Sequence, residues 1–343
     1  AHLVFLIMMD QHISILQVIV MTKQSKIIGG FFSLELPNKS EYHQQAVHLN
    51  SARYALEYVL RVRHYKKIYL PAYLCDSVLQ PIKRLGVTPI FYPIDARFAP
   101  VLDLDLEPDT CLYYVNYFGV NGRNVRDVCL KSDRVIIDNT QAFFERPLAH
   151  ADTLYSARKF FGVPDGGYLY TDAKERIELE RDPSYYRFDA LLKQMDLGSV
   201  SAEPLFQQNE HYLDTCGLHA MARATQRILS SIDYARVRTV RNANFRFLHE
   251  HIGKYNQLQA DFRDVNGPLC YPFLIDRGSQ LKQVLIEQGI YTDDFWEETA
   301  SRIPADRFEH HLAENLAALP IDQRYGQAEM QVIAQVVQKF IRR

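Results

Sequence analysis

Tryptophan is almost missing from this 343-residue chain, with Trp296 the single copy, and cysteine is sparse. The five cysteines, Cys75, Cys111, Cys129, Cys216 and Cys270, are scattered, odd in number and never spaced as CxxC. That distribution argues against a disulfide framework or a zinc site and makes a reducing cytoplasm the expected setting. Neither sign of charge dominates: 39 Lys and Arg stand against 41 Asp and Glu, for a formal net charge of −2. There is thus no electrostatic case for nucleic acid or an anionic membrane as partner. No apolar run reaches the roughly 20 residues of a membrane span. The apolar stretches at 1–9 and 13–20 are separated by Asp10-Gln11-His12. They carry no basic start and no small-residue cleavage site, so residues 1–20 are expected to be an extension rather than a signal peptide. A packed N-terminal strand or helix is the rival reading. Repeats and low-complexity segments are lacking. No GxGxxG follows the early strands, which disfavours a nicotinamide dehydrogenase.

What is present is a globular composition, 47% hydrophobic and 23% charged, with 21 Tyr and 19 Phe. The length suits two domains. Strand and helix patterns alternate as far as Tyr170, which predicts an α/β fold with a mostly parallel sheet between helices. The stretch from Val135 to Tyr170 organises the rest. Val135-Ile136-Ile137 is a short β-branched run, the pattern of a strand buried on both faces. Asp138 ends it and Gln141 follows. A second strand leads to Ser156-Ala157-Arg158-Lys159, and Gly166-Gly167 opens a third, Tyr168-Leu169-Tyr170. An acid at a strand end and a nearby lysine have a joint purpose in pyridoxal phosphate (PLP) chemistry. The amine bonds the cofactor aldehyde, and the carboxylate keeps the pyridine nitrogen protonated so that the ring accepts electrons. Open α/β sheets bind ligands at the carboxyl ends of strands, where Asp138 is expected. The bland alternatives are a capping Asp138 and a surface Lys159.

Asn50-Ser51-Ala52-Arg53 leads a helix, Ile68-Tyr69-Leu70-Pro71 follows as a strand, and Ala318-Leu319-Pro320-Ile321 comes late. Together with Asp138, Gln141, the Lys159 segment and Gly166-Gly167, they resemble the DegT/DnrJ/EryC1/StrS family of sugar aminotransferases. The resemblance runs from about Ile27 to the C-terminus. It implies the PLP-dependent transferase fold type I: an arm over 21–45, a large PLP-binding domain over 46–235 with a seven-stranded, mostly parallel sheet, and a small α+β domain over 236–343. It implies pyridoxal 5'-phosphate on Lys159, with Asp138 at the ring nitrogen and Gln141 at the ring oxygen or beside the ring face. Ser51 and Ala52 stand where the family holds the phosphate. Arg53 follows, either as a phosphate salt bridge or as a surface contact. Ser156 is carried over as a phosphate ligand by chemistry, because Leu154 fills the place of the family's usual serine. Tyr73 is the candidate to stack on the ring, with a half-buried loop tyrosine as its bland reading; Cys75 stands at the closest aligned place. Asn116 is a candidate donor to the phenolic oxygen, against a plain Asx turn. Asn209-Glu210 is the nearest match to a loop that reaches the partner subunit's phosphate. Arg158, by its positive charge, is expected to lower the pKa of the Lys159 amine.

The implied activity is transfer of an amino group from glutamate to a nucleotide-linked keto sugar, by a homodimer with shared active sites. Polysaccharide or natural-product sugar biosynthesis is its implied setting. Two alternatives stay open. One is a PLP-dependent sugar dehydratase, although relatives of that kind carry histidine in place of the lysine. The other is a non-catalytic binding or regulatory subunit.

Elsewhere the apolar spacing predicts helices over 44–63, 78–85, 124–131, 218–229, 232–252, 278–288, 308–316 and 328–340. Strands are predicted over 67–70, 89–94, 112–115 and 268–275, with another starting at Gly289. Residues 176–214 are charged and broken by Pro183 and Pro204, and no helix is predicted there.

Overall fold

The computed structural model describes residues 28–103 and 106–342. The expected extension over 1–20 lies outside them. The chain divides into two compact units, Ala1–Leu36 and Pro37–Arg343. In the first, residues 28–36 contain no helix or strand and expose Ile28, Phe31, Phe32 and Leu34.

The second unit is built on one seven-stranded sheet. Its strands are β1 (Val47–Leu49), β2 (Lys67–Pro71), β3 (Thr88–Tyr92), β4 (Thr110–Val115), β5 (Val135–Asp138), β6 (Asp152–Ser156) and β7 (Gly167–Tyr170). Their order is β1-β7-β6-β5-β4-β2-β3. β7 is antiparallel to both of its neighbours, and every other pair is parallel. It follows that β1 through β6 point the same way and bring their carboxyl ends to one edge. All residues of β4, β5 and β6 are buried, the apolar centres of β4 and β5 as expected of central strands and β6 in spite of Asp152, Thr153 and Ser156.

Helices α1 (Ala52–Arg63), α2 (Leu79–Leu85) and α3 (Gly122–Lys131) connect the early strands. After β7 come α4 (Asp189–Leu197), α5 (Ser199–Thr215), α6 (Arg223–Leu229) and α7 (Tyr234–Ile252). A second sheet pairs β8 (Tyr271–Leu274) with β9 (Leu316–Leu319), antiparallel. It is accompanied by α8 (Gly278–Glu287), α9 (Phe308–Asn315) and α10 (Gln327–Ile341). Among the described residues no helix is long and apolar enough to cross a membrane.

α1 shows how the early part is fixed. Its buried face carries Tyr54, Ala55, Leu56, Tyr58, Val59 and Leu60, and its last turn is basic, which suits the negative end of the helix dipole. Arg63 reaches both carboxylate oxygens of Asp152 at 2.9 Å, tying the end of α1 to the start of β6.

Four expectations are corrected. Residues 44–63 are not one helix, because Val47–Leu49 pair with β7 and α1 begins only at Ala52. No strand starts at Gly289; Asp293 makes only an isolated bridge to Ala318. The segment 218–229 becomes helical only at Arg223, after Leu49 and Arg181 bridge to Ala220. Residues 189–197 and 199–215 are helices in spite of Pro204, which sits inside α5 at its sixth residue. A proline there removes one intrahelical donor but does not end the helix.

Candidate active site

Asp138 is the last residue of β5, buried to 5% exposure on the edge where the strands end. Tyr113 on the neighbouring β4 donates its hydroxyl to Asp138 Oδ2 at 2.7 Å. The Thr140 amide donates to Oδ1 at 2.8 Å. Both the local turn and the inward-facing acid are therefore real features. A carboxylate oxygen accepts two hydrogen bonds, so each still has capacity for a ligand. Burial, and then the charge of Asp138, push the Tyr113 phenol well above its ordinary range, which keeps it a donor.

Gln141 is fully buried. Its Oε1 accepts the Phe118 amide at 2.6 Å, where the chain turns through left-handed backbone at Phe118 (φ 57°) and Gly119 (φ 76°). A side chain at Gly119 would place its Cβ 2.7 Å from the Gln141 carbonyl, so glycine is required there. Gln141 Nε2 is left buried with no partner. A buried unpaired amide is costly unless a ligand takes it.

Lys159 is solvent-exposed at the tip of a tight turn. The Phe160 and Phe161 amides both donate to the Ala157 carbonyl, at 3.0 and 2.9 Å. Their rings are buried with Phe143, Phe144, Tyr155 and Tyr168 in a second core cluster. That apolar anchor sets the lysine facing outward, its Nζ 5.9 Å from the centre of the Phe295 ring. Behind the turn the buried Arg241 guanidinium lies 4.5 Å over Phe160. It donates to Gln323 Oε1 at 2.9 Å and to the Pro268 and Leu269 carbonyls at 3.0 Å. Gln323 in turn donates to the Phe160 carbonyl at 2.7 Å.

Arg158, the residue before Lys159, is turned toward α5. It pairs with Glu210, and the charges facing it are Arg53, Asp165, Arg187 and Asp214. Burial first, then Arg53, pull its guanidinium down to about 10.

The opposite end of the site is the start of α1. The Gly166 amide donates to the Asn50 carbonyl at 2.8 Å. A Cβ on Gly167 would sit 2.3 to 2.6 Å from backbone atoms of Ser51 and Ala52. Gly167 also faces Ser156 across the β6–β7 pair. Thus Ser51, Ala52 and Ser156 converge around a glycine whose side chain must be absent. Ser51 is the N-cap residue of α1, yet its hydroxyl caps nothing; it is buried with no partner. Arg53 lies 2.6 Å from Asp214.

Other candidates lie elsewhere. Tyr73 has no exposed surface, and its ring packs at 4.7 Å from Trp296 and 5.8 Å from Tyr117. Its hydroxyl donates to the Phe295 carbonyl at 3.1 Å. Both its stacking role and the half-buried loop reading give way to a core residue. Asn116 is spent on the fold, donating to Asn139 Oδ1 and accepting from the Asn121 amide, both at 3.0 Å. Asn209 donates to the Pro164 carbonyl at 2.8 Å and Glu210 pairs with Arg158, so this segment ties down its own chain's lysine loop. Tyr113, Arg241 and Gln323 were not anticipated. Only the β4–β5 register, which aligns Val115 with Asp138, brings Tyr113 to the carboxylate.

Comparison with known proteins gives the fold a context. No family model matches the chain, and no curated protein matches it. Solved structures do. DesV from S. venezuelae superposes with a TM-score of 0.61 at 17% identity, covering 89% of this chain and 86% of that one. A DegT DnrJ EryC1 StrS aminotransferase from Brucella abortus gives 0.58 at 13%, covering 86% and 85%. A sugar aminotransferase from Streptococcus pneumoniae in its PLP form gives 0.58 at 15%, covering 86% and 87%. The chain has the fold of these aminotransferases.

Proposed function

We propose that this protein is a PLP-dependent aminotransferase of the DegT/DnrJ/EryC1/StrS family that transfers an amino group to a keto sugar. The observation that carries the reading is the pair of buried, unpartnered polar atoms, Ser51 Oγ and Gln141 Nε2, at the same sheet edge as Asp138 and Lys159. A cofactor with an acidic phosphate, a phenolic oxygen and a basic ring nitrogen suits these groups. Ser51, the first amides of α1 and Ser156 would hold the phosphate. Gln141 would donate to the phenolic oxygen, and Asp138 would hold the ring nitrogen protonated. When bound, the cofactor supplies an electron sink for a carbanion at the substrate's amine-bearing carbon.

The chain's own residues supply the rest. Lys159 would hold the cofactor's aldehyde and, as an amine, would move a proton at the substrate's amine-bearing carbon. Tyr113 and the Thr140 amide hold Asp138 in its orientation. Phe295 and the aromatic wall behind it exclude water from one side of the lysine.

A nucleotide-linked sugar as acceptor, glutamate as donor and a cytoplasmic setting belong to the same proposal, on the strength of the sequence resemblance. So does a homodimer: Tyr185, Leu192, Met195, Leu197 and Val200 expose apolar side chains on and around α4 and α5, a surface suited to a second copy. The proposed boundary between the large and small domains, 235/236, falls in the first turn of α7. The dehydratase alternative is disfavoured by Lys159 itself.

The test is a half-reaction. PLP-loaded protein mixed with glutamate should convert to the amine form of the cofactor, seen as loss of visible absorbance, and a keto sugar should restore it. Lys159→Ala should fold normally and show neither change. Half-reaction turnover that persists in Lys159→Ala would remove the assignment.

A further inference from the structure

We propose that Arg53 and Arg158 form a guanidinium cup for a phosphate monoester at the start of α1. We propose too that Glu210 and Asp214 hold those arginines until the anion arrives. This rests on the cofactor reading for the identity of the anion, but the cup itself is argued from charge and burial.

The charges of Arg53, at the first turn of α1, and of Arg187 both act on Arg158. Crowded like charges are unfavourable, and the charge of Arg53 adds to burial, the larger cause, in pulling the Arg158 guanidinium down to about 10. Each has a carboxylate nearby, but the three pairs differ. Arg187 and Asp182 are 4% and 1% exposed, a sealed pair whose loss would strand a charge. Asp214 and Glu210 are 39% and 46% exposed, opposite Arg53 and Arg158 at 10% and 21%. Here the cations are the buried partners and the anions are the wet ones. Such carboxylates have water to turn into when an anion replaces them at the arginines, Asp214 giving up as well the bond it accepts from Gln80 Nε2 at 3.1 Å. Glu210 and Asp214 stand four residues apart, and so on one face of α5. Asn209 fixes that part of α5 by its bond to Pro164.

Two groups in the cup point to a ligand beyond the carboxylates. Ser51 Oγ is buried without a partner at the first turn of a 12-residue helix whose leading amides are aligned for an anion. Arg53 Nε is likewise buried and unpaired, and its Nη1 meets Asp214 at 2.6 Å without hydrogen-bond alignment. A phosphate dianion answers all of these, since a guanidinium binds phosphate through two parallel N–H donors. The carboxylate pair on α5 then occupies the cup as an internal competitor.

The test uses the full-length protein freed of PLP. Calorimetry with inorganic phosphate is paired with the affinities for PLP and for pyridoxal, which lacks the phosphate. Arg158→Met and Arg53→Met should each weaken phosphate and PLP by at least about tenfold and leave pyridoxal unchanged. The double variant Glu210→Gln with Asp214→Asn should bind phosphate more tightly than the wild type, by about threefold or more. Tighter binding is the outcome a merely structural role for these carboxylates does not give. The proposal is overturned if the wild type binds no phosphate, if the arginine variants keep the full preference for PLP over pyridoxal, or if the double variant binds phosphate no better. Phosphate binding lost in the arginine variants and tightened in the double variant, with no PLP binding in the wild type, would uphold the cup and remove the cofactor reading.

Discussion

At the scale of single residues, Asp138 and His43 carry the sharpest expectations. Asp138→Asn should lower turnover by at least about a hundredfold, because an amide no longer holds a ring nitrogen protonated. Unfolding by urea should change far less, since the amide oxygen still accepts from Thr140 and the amide nitrogen can donate to the Tyr113 hydroxyl. Near-normal turnover would mean that another acid serves the ring. Tyr113→Phe removes a bond to a charged group and should cost about 1.5–3 kcal/mol of stability, measured in the same unfolding experiment. His43 concerns pH. Its ring is buried against Tyr155 and Phe143, and its Nε2 lies 2.8 Å from the Phe143 carbonyl. Burial pulls its pKa from 6.5 down to about 4. The unfolded chain therefore takes up a proton between pH 6.5 and 4 that the folded chain refuses. Stability from this residue is complete above pH 6.5 and falls by about 3 kcal/mol on the way to pH 4. His43→Gln should lose less stability over that interval; an equal loss would contradict the account.

At the scale of elements, the sequence is legible where the chemistry is local and dense. β5, the turn at Lys159 and the Gly166-Gly167 entry into β7 were all anticipated from β-branched runs and glycines. β1 was not, because three residues carry no periodicity and become a strand only by pairing with β7. α4 and α5 were missed because charge and Pro204 outweighed weak apolar spacing. The site follows the same division. Asp138, Gln141 and Lys159, the core of the proposed site, are legible from order and spacing. Tyr113 and Arg241 are not, since register and packing alone bring them there. Gly167→Ala tests the convergence of β7 on α1. A Cβ 2.3 Å from Ser51 must push the helix start away, at a cost of about 1–3 kcal/mol and with weakened phosphate binding. Unchanged phosphate affinity would show that the close approach plays no part in the site.

At the scale of the whole molecule, Arg241 links parts far apart in sequence: α7, residues 268–269, Gln323 after β9, and Phe160 beside the lysine. Arg241→Met would leave Gln323 Oε1 and the Pro268 and Leu269 carbonyls without this donor, so unfolding should become easier by about 2–4 kcal/mol. The proposed homodimer is addressed by Met195→Asp with Leu197→Asp. Sedimentation should show a dimer for the wild type and a monomer for this variant. A wild-type monomer would remove that part of the proposal while leaving the fold untouched.

The central claim is that Lys159 holds PLP. The most direct measurement is the visible spectrum of the purified protein with PLP, before and after borohydride, followed by peptide mapping. The account predicts an absorption band that borohydride abolishes, with the reduced label on the peptide containing Lys159. No band at saturating PLP, or a label on another lysine, would contradict it.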